Sequence, residues 1–313
     1  MKKQYIQDLN QPGMYVDGVF YLGEKEIRKT RDGKDYIRLQ LRDKSGTMLA
    51  VFFDPGSAKS IPKASFVRVT GQVTEYKGQI NIKIDDIWQE KEEHVDYTDF
   101  MPSTYRDVEE CFARIQSIAR SLREPMAALL TSFFDNASFA RRFKLAPGGI
   151  TVHHAYLGGL CIHTHDMLAL AHDLVKKDKN IDSELLYAGI LLHDIGKIRE
   201  YQYTRCIDNS DEGKFLGHIA IGIRMVETEI GRIPGFPEPL AWKLIHMILS
   251  HHGPREYGSP VPPKFLEAQM LHQIDNLDAK RAIYHEMKET NNGNRWSEYN
   301  PYLGHDVFFN SEQ

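Results

Sequence analysis

Residues Ala188–Lys197 read AGILLHDIGK. Five small or apolar residues, Ala188 to Leu192, bring in His193 and Asp194 side by side, and Ile195, Gly196 and Lys197 follow at once. Adjacent side chains on a helix point about 100° apart, so this pair reaches one small object only if it lies in the wedge between them. A metal ion suits that wedge. Taken alone, the pair also reads as an exposed helix end with Gly196 as its C-terminal cap. The other histidines decide between the two.

Upstream, a helix expected from about His154 to Lys176 carries His163 among Leu160, Ile162, Met167 and Leu170. Downstream, His218 opens another expected helix, His251-His252-Gly253 closes the next, and Asp275 lies in a third beside Ile274 and Leu277. Each has an ordinary explanation by itself, since a histidine on an apolar face is more often a satisfied core residue than a ligand. Together, five stations of His and Asp beside apolar residues would cost too much desolvation unless something binds them. Two metal ions would satisfy the set.

The chain before these stations has a different texture. Met14–Val16, Val19–Leu22, Tyr36–Leu41, Met48–Phe53, Phe66–Val69 and Gln79–Ile84 are short, β-rich and partly alternating, and Asp32-Gly33, Ser45-Gly46 and Lys77-Gly78 mark turns between them. About five strands with a helix-length gap near Ser57–Ala64 fit a five-stranded Greek-key barrel, and the order resembles an OB-fold. Lys25, Arg28, Arg38 and Lys77 are interleaved with Tyr36, Phe52, Phe53 and Tyr76. Single-stranded nucleic acid is held by that combination, aromatic faces stacking bases while cations follow phosphates. Alternation also places one of Phe52 and Phe53 inside the barrel.

Glu90 to Asp99 is polar and acidic and reads as a linker, after which apolar residues recur at helical spacing from Tyr105 to Leu122. Between Arg199 and Leu216 the expectation is a hairpin, Arg199–Tyr203 and Lys214–Leu216 around an Asp208–Gly213 tip. It would wall a substrate channel with Arg199, Tyr201 and Arg205. The loop Gly253–Pro263, with Arg255 and Tyr257, reads as a second wall or a rigid connector.

The order His163, His193-Asp194, His218, His251-His252, Asp275, with Lys197 in HDIGK, resembles the HD-domain phosphohydrolases in their extended, two-metal form. With the OB-like barrel in front, residues 13 to 290 resemble the YhaM-type 3′-to-5′ exoribonucleases. The resemblance implies a multidomain β plus α chain: an OB-fold over 1–90, a linker over 91–104, an all-α HD domain with an inserted β-hairpin over 105–290, and a tail over 291–313. It implies that His163, His193, Asp194 and Asp275 hold one ion while Asp194, as bridge, His218 and His251 hold the other. Some three-metal relatives carry a Glu four residues before the first His. That position here is Gly159, so no third ion is expected, and His252 becomes an outer or substrate-contacting residue.

Two divalent ions about 3.5–4 Å apart activate a water and stabilise phosphate oxygens during in-line displacement. Nitrogen and oxygen donors without thiolate suit Mn²⁺, Fe²⁺ or Co²⁺. Lys197, three residues past Asp194, is placed to reach the scissile phosphate. The expected substrate contacts are Lys197, His252, Tyr36, Phe52, Phe53, Tyr76, Arg28 and Arg38. The expected activity is removal of nucleotides from single-stranded RNA as 5′-monophosphates, with single-stranded DNA a further substrate and a second copy of the chain a further partner. A phosphohydrolase of a small nucleotide with a regulatory barrel is the alternative, and a binding adaptor with a structural HD domain is a third.

Composition narrows the setting. At 313 residues there is room for two domains, and no apolar run approaches the length of a membrane span. The net charge of −4 hides an asymmetry: residues 1–89 hold 15 Lys and Arg against 11 Asp and Glu, leaving −8 for the remainder. Three cysteines, Cys111, Cys161 and Cys206, show no CxxC spacing and fit a reducing compartment, so the cytoplasm is expected.

Overall fold

The computed structural model describes residues 2–310 except 31, 54, 55, 77, 102, 103, 105, 151–153, 204–206 and 292, and only the backbone of 57, 97 and 290. Lys77, Tyr105, Arg205 and Cys206, singled out above, lie outside the described residues. The chain forms two compact units, the first made of residues 1–103 with 203–206 and the second of residues 104–202 with 207–313.

The first unit is a closed barrel of β1 (Tyr15–Lys29), β2 (Asp35–Asp43), β3 (Gly46–Phe52), β4 (Ser65–Tyr76) and β5 (Gln79–Gln89), in the order β1-β2-β3-β5-β4. All pairings are antiparallel except β3 with β5. Period-two alternation turns Val16, Phe20, Ile37, Leu39, Ala50 and Ile82 inward as a buried core. The two short strands expected over 14–22 are one long strand, whose register with β2 slips between Leu22 and Lys25. A bulge of that kind lets one strand serve both neighbours. The helix-length gap near Ser57–Ala64 holds a 3-10 turn, Ser57–Lys59, and buried Ala58 and Ile61 join the barrel core there.

The expected linker is seated on the barrel. Tyr5 Oη donates to Asp99 Oδ1 at 2.6 Å, the Lys2 and Lys44 backbone N–H groups donate to Asp99 Oδ2 and O, and Phe100 meets Phe66 edge-on at 4.9 Å. The Lys2 ammonium binds Asp43 beneath these groups and lies 4.1 Å from the Phe20 ring centre. The polar residues that made this stretch look like a linker, Glu92, Glu93 and Asp96, are the ones facing water.

The second unit is helical: α1 (Val108–Ser121), α2 (Met126–Phe134), α3 (Ala137–Leu145), α4 (Gly159–Lys177), α5 (Ser183–Leu192), α6 (Lys197–Glu200), α7 (Asp211–Ile230), α8 (Glu238–Ser250) and α9 (Leu266–Thr290). Asp107, Asn136 and Asp182 cap α1, α3 and α5 by accepting hydrogen bonds from first-turn N–H groups. Cys111, Phe112, Ile115 and Ala119 are the buried stripe of α1. Phe112, Phe134, Phe139 and Phe143 pack ring against ring. α4 starts at Gly159, later than the His154 expected, because His154 adopts a positive φ of 59° outside the helix.

The inserted hairpin exists but is smaller than expected, with β6 (Tyr201–Gln202) paired to β7 (Asp208–Asn209). Lys214–Leu216, expected as its second strand, is helical. The Ser210 side chain accepts from Gly213 N and starts α7 there, with Asp211 and Glu212 in the first turn. α7 kinks at Gly217 (φ 69°, ψ 160°) and resumes at His218.

One close approach governs the geometry around His193. Gly196 starts α6 against α7, and a Cβ at Gly196 would lie 2.0 Å from His218 O and 2.8 Å from Gly222 N. Only hydrogen fits between these backbones. Gly196→Ala should therefore push α7 away, costing about 1–3 kcal/mol of overpacking and moving His218 from Asp194. Denaturant unfolding and metal content of the purified variant measure both effects, and wild-type values for both would show that the contact yields freely.

Candidate metal centre

The expected ligands come from five segments and converge. His163 stands in the middle of α4, and His193 ends α5 with Asp194 in the following turn. His218 follows the Gly217 kink, His251 ends α8, and Asp275 lies on α9. Asp194, 3% exposed, is at the centre. Its Oδ2 lies 3.2 Å from His193 Nε2 and 3.8 Å from His163 Nε2, and its Oδ1 lies 3.6 Å from His218 Nε2 and 3.7 Å from His251 Nε2. Asp275 Oδ1 is 3.2 Å from His163 Nε2. The two carboxylate oxygens thus face two different pairs of imidazoles.

Each of those four imidazoles is held by its other nitrogen. His193 Nδ1 donates to Ile190 O and His251 Nδ1 to Ile248 O, both at 2.8 Å. His163 Nδ1 donates to Asp278 Oδ2 at 2.8 Å and His218 Nδ1 to Glu200 Oε1 at 3.1 Å. With the proton fixed on Nδ1, a neutral ring points its Nε2 lone pair at the Asp194 carboxylate. Lone pair facing lone pair in a buried site is repulsive without a positive charge between them. His193 Nε2, His218 Nε2, His251 Nε2 and Asp194 Oδ1 are buried and lack a hydrogen-bond partner among the described residues. This donor set fits divalent cations.

The protonation tendencies agree. Burial, with His252 and His193 adding to it, drives His251 well below the usual histidine value, and burial with His218 lowers His252. Burial would raise Asp194, but Lys197 and His193 hold it well below the carboxylate range. His163 is the exception. Burial opposes its charged form, yet its hydrogen bonds to Asp275 and Asp278 push it up to about 10. A proton on that Nε2 occupies the place a cation would take, so the two compete.

Lys197 is buried, not a surface lysine. Its ammonium donates to Gly148 O and pairs with Asp194 Oδ2, each at 2.7 Å. Burial would lower Lys197, but Asp194 keeps it charged above the usual lysine value. His252 is half-buried, its ring centre 5.3 Å from that of His218. Donor atoms of His218, His251 and His252 come within 4.8 Å of one another, so the geometry makes His252 a candidate donor. Gly159 is closed to any side chain, since a Cβ there would lie 2.0 Å from His154 O.

Three residues around the centre carried no signal of their own in the sequence. Glu200 and Asp278 each lie three residues beyond a recognised one, Lys197 and Asp275, a spacing that shares a helix face and would have pointed to them. His154 Nε2 donates to Asp278 Oδ2 at 2.9 Å and its Nδ1 accepts from Tyr156 Oη at 2.8 Å. Among the expected channel residues, Arg199 is engaged by Glu212 through two hydrogen bonds.

On the barrel the expected contacts divide. Phe52 is 5% exposed in the core, opposite Ile37 and Ile84, and offers no face to a base. Phe53 is 55% exposed and stacks on Tyr36, with ring centres 5.7 Å apart. Tyr76 is exposed at the end of β4. Arg38, Val51 and Lys83 are in register across β2, β3 and β5, and Arg28 pairs with Glu26 at 2.7 Å.

Residues 160–280 match the HD domain family and residues 24–89 the OB-fold nucleic acid binding domain. The chain is 35% identical over 277 residues to the 3′-5′ exoribonuclease YhaM of Oceanobacillus iheyensis, covering 86% of this chain and 85% of that one. It is 32% identical over 275 residues to the 3′-5′ exoribonuclease YhaM of Bacillus subtilis (strain 168), covering 87% of each. With this identity over nearly the full length of both chains, and an HD domain that gathers its histidines and aspartates at one buried point, the chain belongs to the YhaM family of 3′-5′ exoribonucleases.

Proposed function

We propose that the chain removes nucleotides from the 3′ end of single-stranded RNA as nucleoside 5′-monophosphates, using two divalent ions that share Asp194. The observation that carries the reading is the division of Asp194, with Oδ2 toward His163 and His193 and Oδ1 toward His218 and His251. On this reading His163, His193, Asp194 and Asp275 hold one ion, and Asp194, His218 and His251 hold the other with His252 in reach. Imidazole and carboxylate donors suit Mn²⁺, and Fe²⁺ or Co²⁺ satisfy the same set. When bound, such a pair activates water for attack and neutralises charge on the phosphate.

The chain's own residues supply the rest. An ammonium has three N–H donors, and Lys197 commits two of them to Asp194 and Gly148 O. The third can meet a phosphate oxygen. Tyr36 and Phe53 form a stacking surface for bases, with Arg38 and Lys83 beside them for the backbone phosphates. No observation favours the small-nucleotide reading or the adaptor reading. Incubation of the Mn²⁺-loaded protein with end-labelled RNA, matching DNA and free nucleotides separates the three.

Asp194→Ala should reduce RNA hydrolysis by at least about a thousandfold, equivalent to ~4 kcal/mol, while a gel-shift assay still shows RNA binding. Hydrolysis near the wild-type rate would remove Asp194 from the centre. Lys197→Met should lower kcat while metal analysis still finds wild-type ion content; loss of the ions would make Lys197 a support of the centre instead.

The two adjacent phenylalanines should separate binding from folding. Phe53→Ala should weaken RNA binding by roughly 1–3 kcal/mol with unchanged unfolding, and Phe52→Ala should destabilise the barrel by about 3–5 kcal/mol. Binding titrations and denaturant melts on both variants check this, and unaltered RNA affinity in Phe53→Ala would take the β2–β3 face out of the substrate path.

A further inference from the structure

The four inner imidazoles are held in two ways. His193 and His251 each stand at the end of a helix, where the last carbonyls lack intrahelical partners, and each takes the carbonyl three residues back, Ile190 O or Ile248 O. His163 and His218 have no such carbonyl to take. His163 is inside α4, where carbonyls are spent on helix N–H groups, and His218 follows a kink. Each is met by a buried carboxylate from another helix, Asp278 of α9 or Glu200 of α6.

These carboxylates are themselves fixed. Asp278, fully buried, accepts from His163 Nδ1 and His154 Nε2 on Oδ2 and from Arg281 Nη2 on Oδ1 at 3.0 Å. Arg281 is anchored in turn by Asp166, which also binds Arg106. Glu200 Oε1 accepts from both the backbone N–H of His218 at 3.0 Å and its Nδ1 at 3.1 Å, so it orients main chain and ring together. Neither carboxylate is among the expected ligands. A carboxylate behind an imidazole locks the tautomer and makes Nε2 a stronger donor than a carbonyl does. Each side of Asp194 therefore has one carboxylate-backed and one carbonyl-backed imidazole.

We propose that Glu200 and Asp278 are positioning residues that each set the affinity of one ion, Glu200 through His218 and Asp278 through His163. The inference rests on the two-ion reading above. Glu200→Gln and Asp278→Asn keep the shape and remove the charge. Calorimetric titration of the chelator-stripped full-length chain with Mn²⁺ should show each variant losing about 10- to 100-fold in affinity for one ion and retaining the other, with thermal unfolding in chelator followed in parallel. Glu200→Gln should add nothing in a His218→Ala background and Asp278→Asn nothing in a His163→Ala background, whereas the crossed combinations should weaken both ions. Wild-type affinity for both ions in both variants would overturn the proposal. So would equal weakening of both ions in each variant with a lowered melting temperature in chelator, the mark of a merely structural role. If the wild-type chain takes up one ion, the two-ion reading falls, and the inference then requires one variant alone to weaken that ion; two inert variants overturn it.

Discussion

The centre depends on a carboxylate surrounded by nitrogen. Asp194 is buried among four imidazoles and one ammonium, and a buried charge is tolerated only where opposite charge and hydrogen bonds surround it. Lys197 offsets part of that charge. It does nothing for the imidazole lone pairs, whose Nδ1 protons are already committed. Positive charge on both sides of the carboxylate resolves both demands. The donor set around Asp194 therefore fits divalent cations, and the proposed pair of ions would meet both demands.

Much of the helical unit serves to bring that receptor together. His163 and Asp275 are far apart in sequence, and their approach requires α4 and α9 to pack closely enough for Asp278 to meet both His163 and His154. The α6–α7 contact at Gly196 performs the equivalent task for His218. The short helix α6 contributes twice, carrying Lys197 toward Asp194 and Glu200 toward His218. Apolar burial from the α1–α3 phenylalanines supplies cohesion away from this polar cluster, where packing can be tight without polar compromise.

The convergence of the five His and Asp stations was legible because their signals are chemical: few reasons exist to place such residues on apolar faces. The outer carboxylates were not, since Glu200 in KIRE and Asp278 in DNLDAK look like solvated helix charges until tertiary contact buries them. In the barrel the strands followed from alternation, but the parity at Phe52-Phe53 is set by which residue pairs with Ile37 and Ile84, a long-range fact. The stretch after the barrel read as a linker because its charges outnumber its anchors, although Phe100 and Asp99 suffice to seat it. Lys214–Leu216 read as a strand because its local pattern is ambiguous. The Ser210 cap before it was the deciding signal.

The central claim is that one carboxylate is shared by two ions. Electron paramagnetic resonance of the Mn²⁺-loaded protein measures this directly, because ions about 3.5–4 Å apart through a common bridge are exchange-coupled and isolated ions are not. The account predicts a coupled dinuclear spectrum in the wild-type chain that collapses to uncoupled signals in Asp194→Ala. Uncoupled mononuclear signals at full loading of the wild-type chain would contradict it.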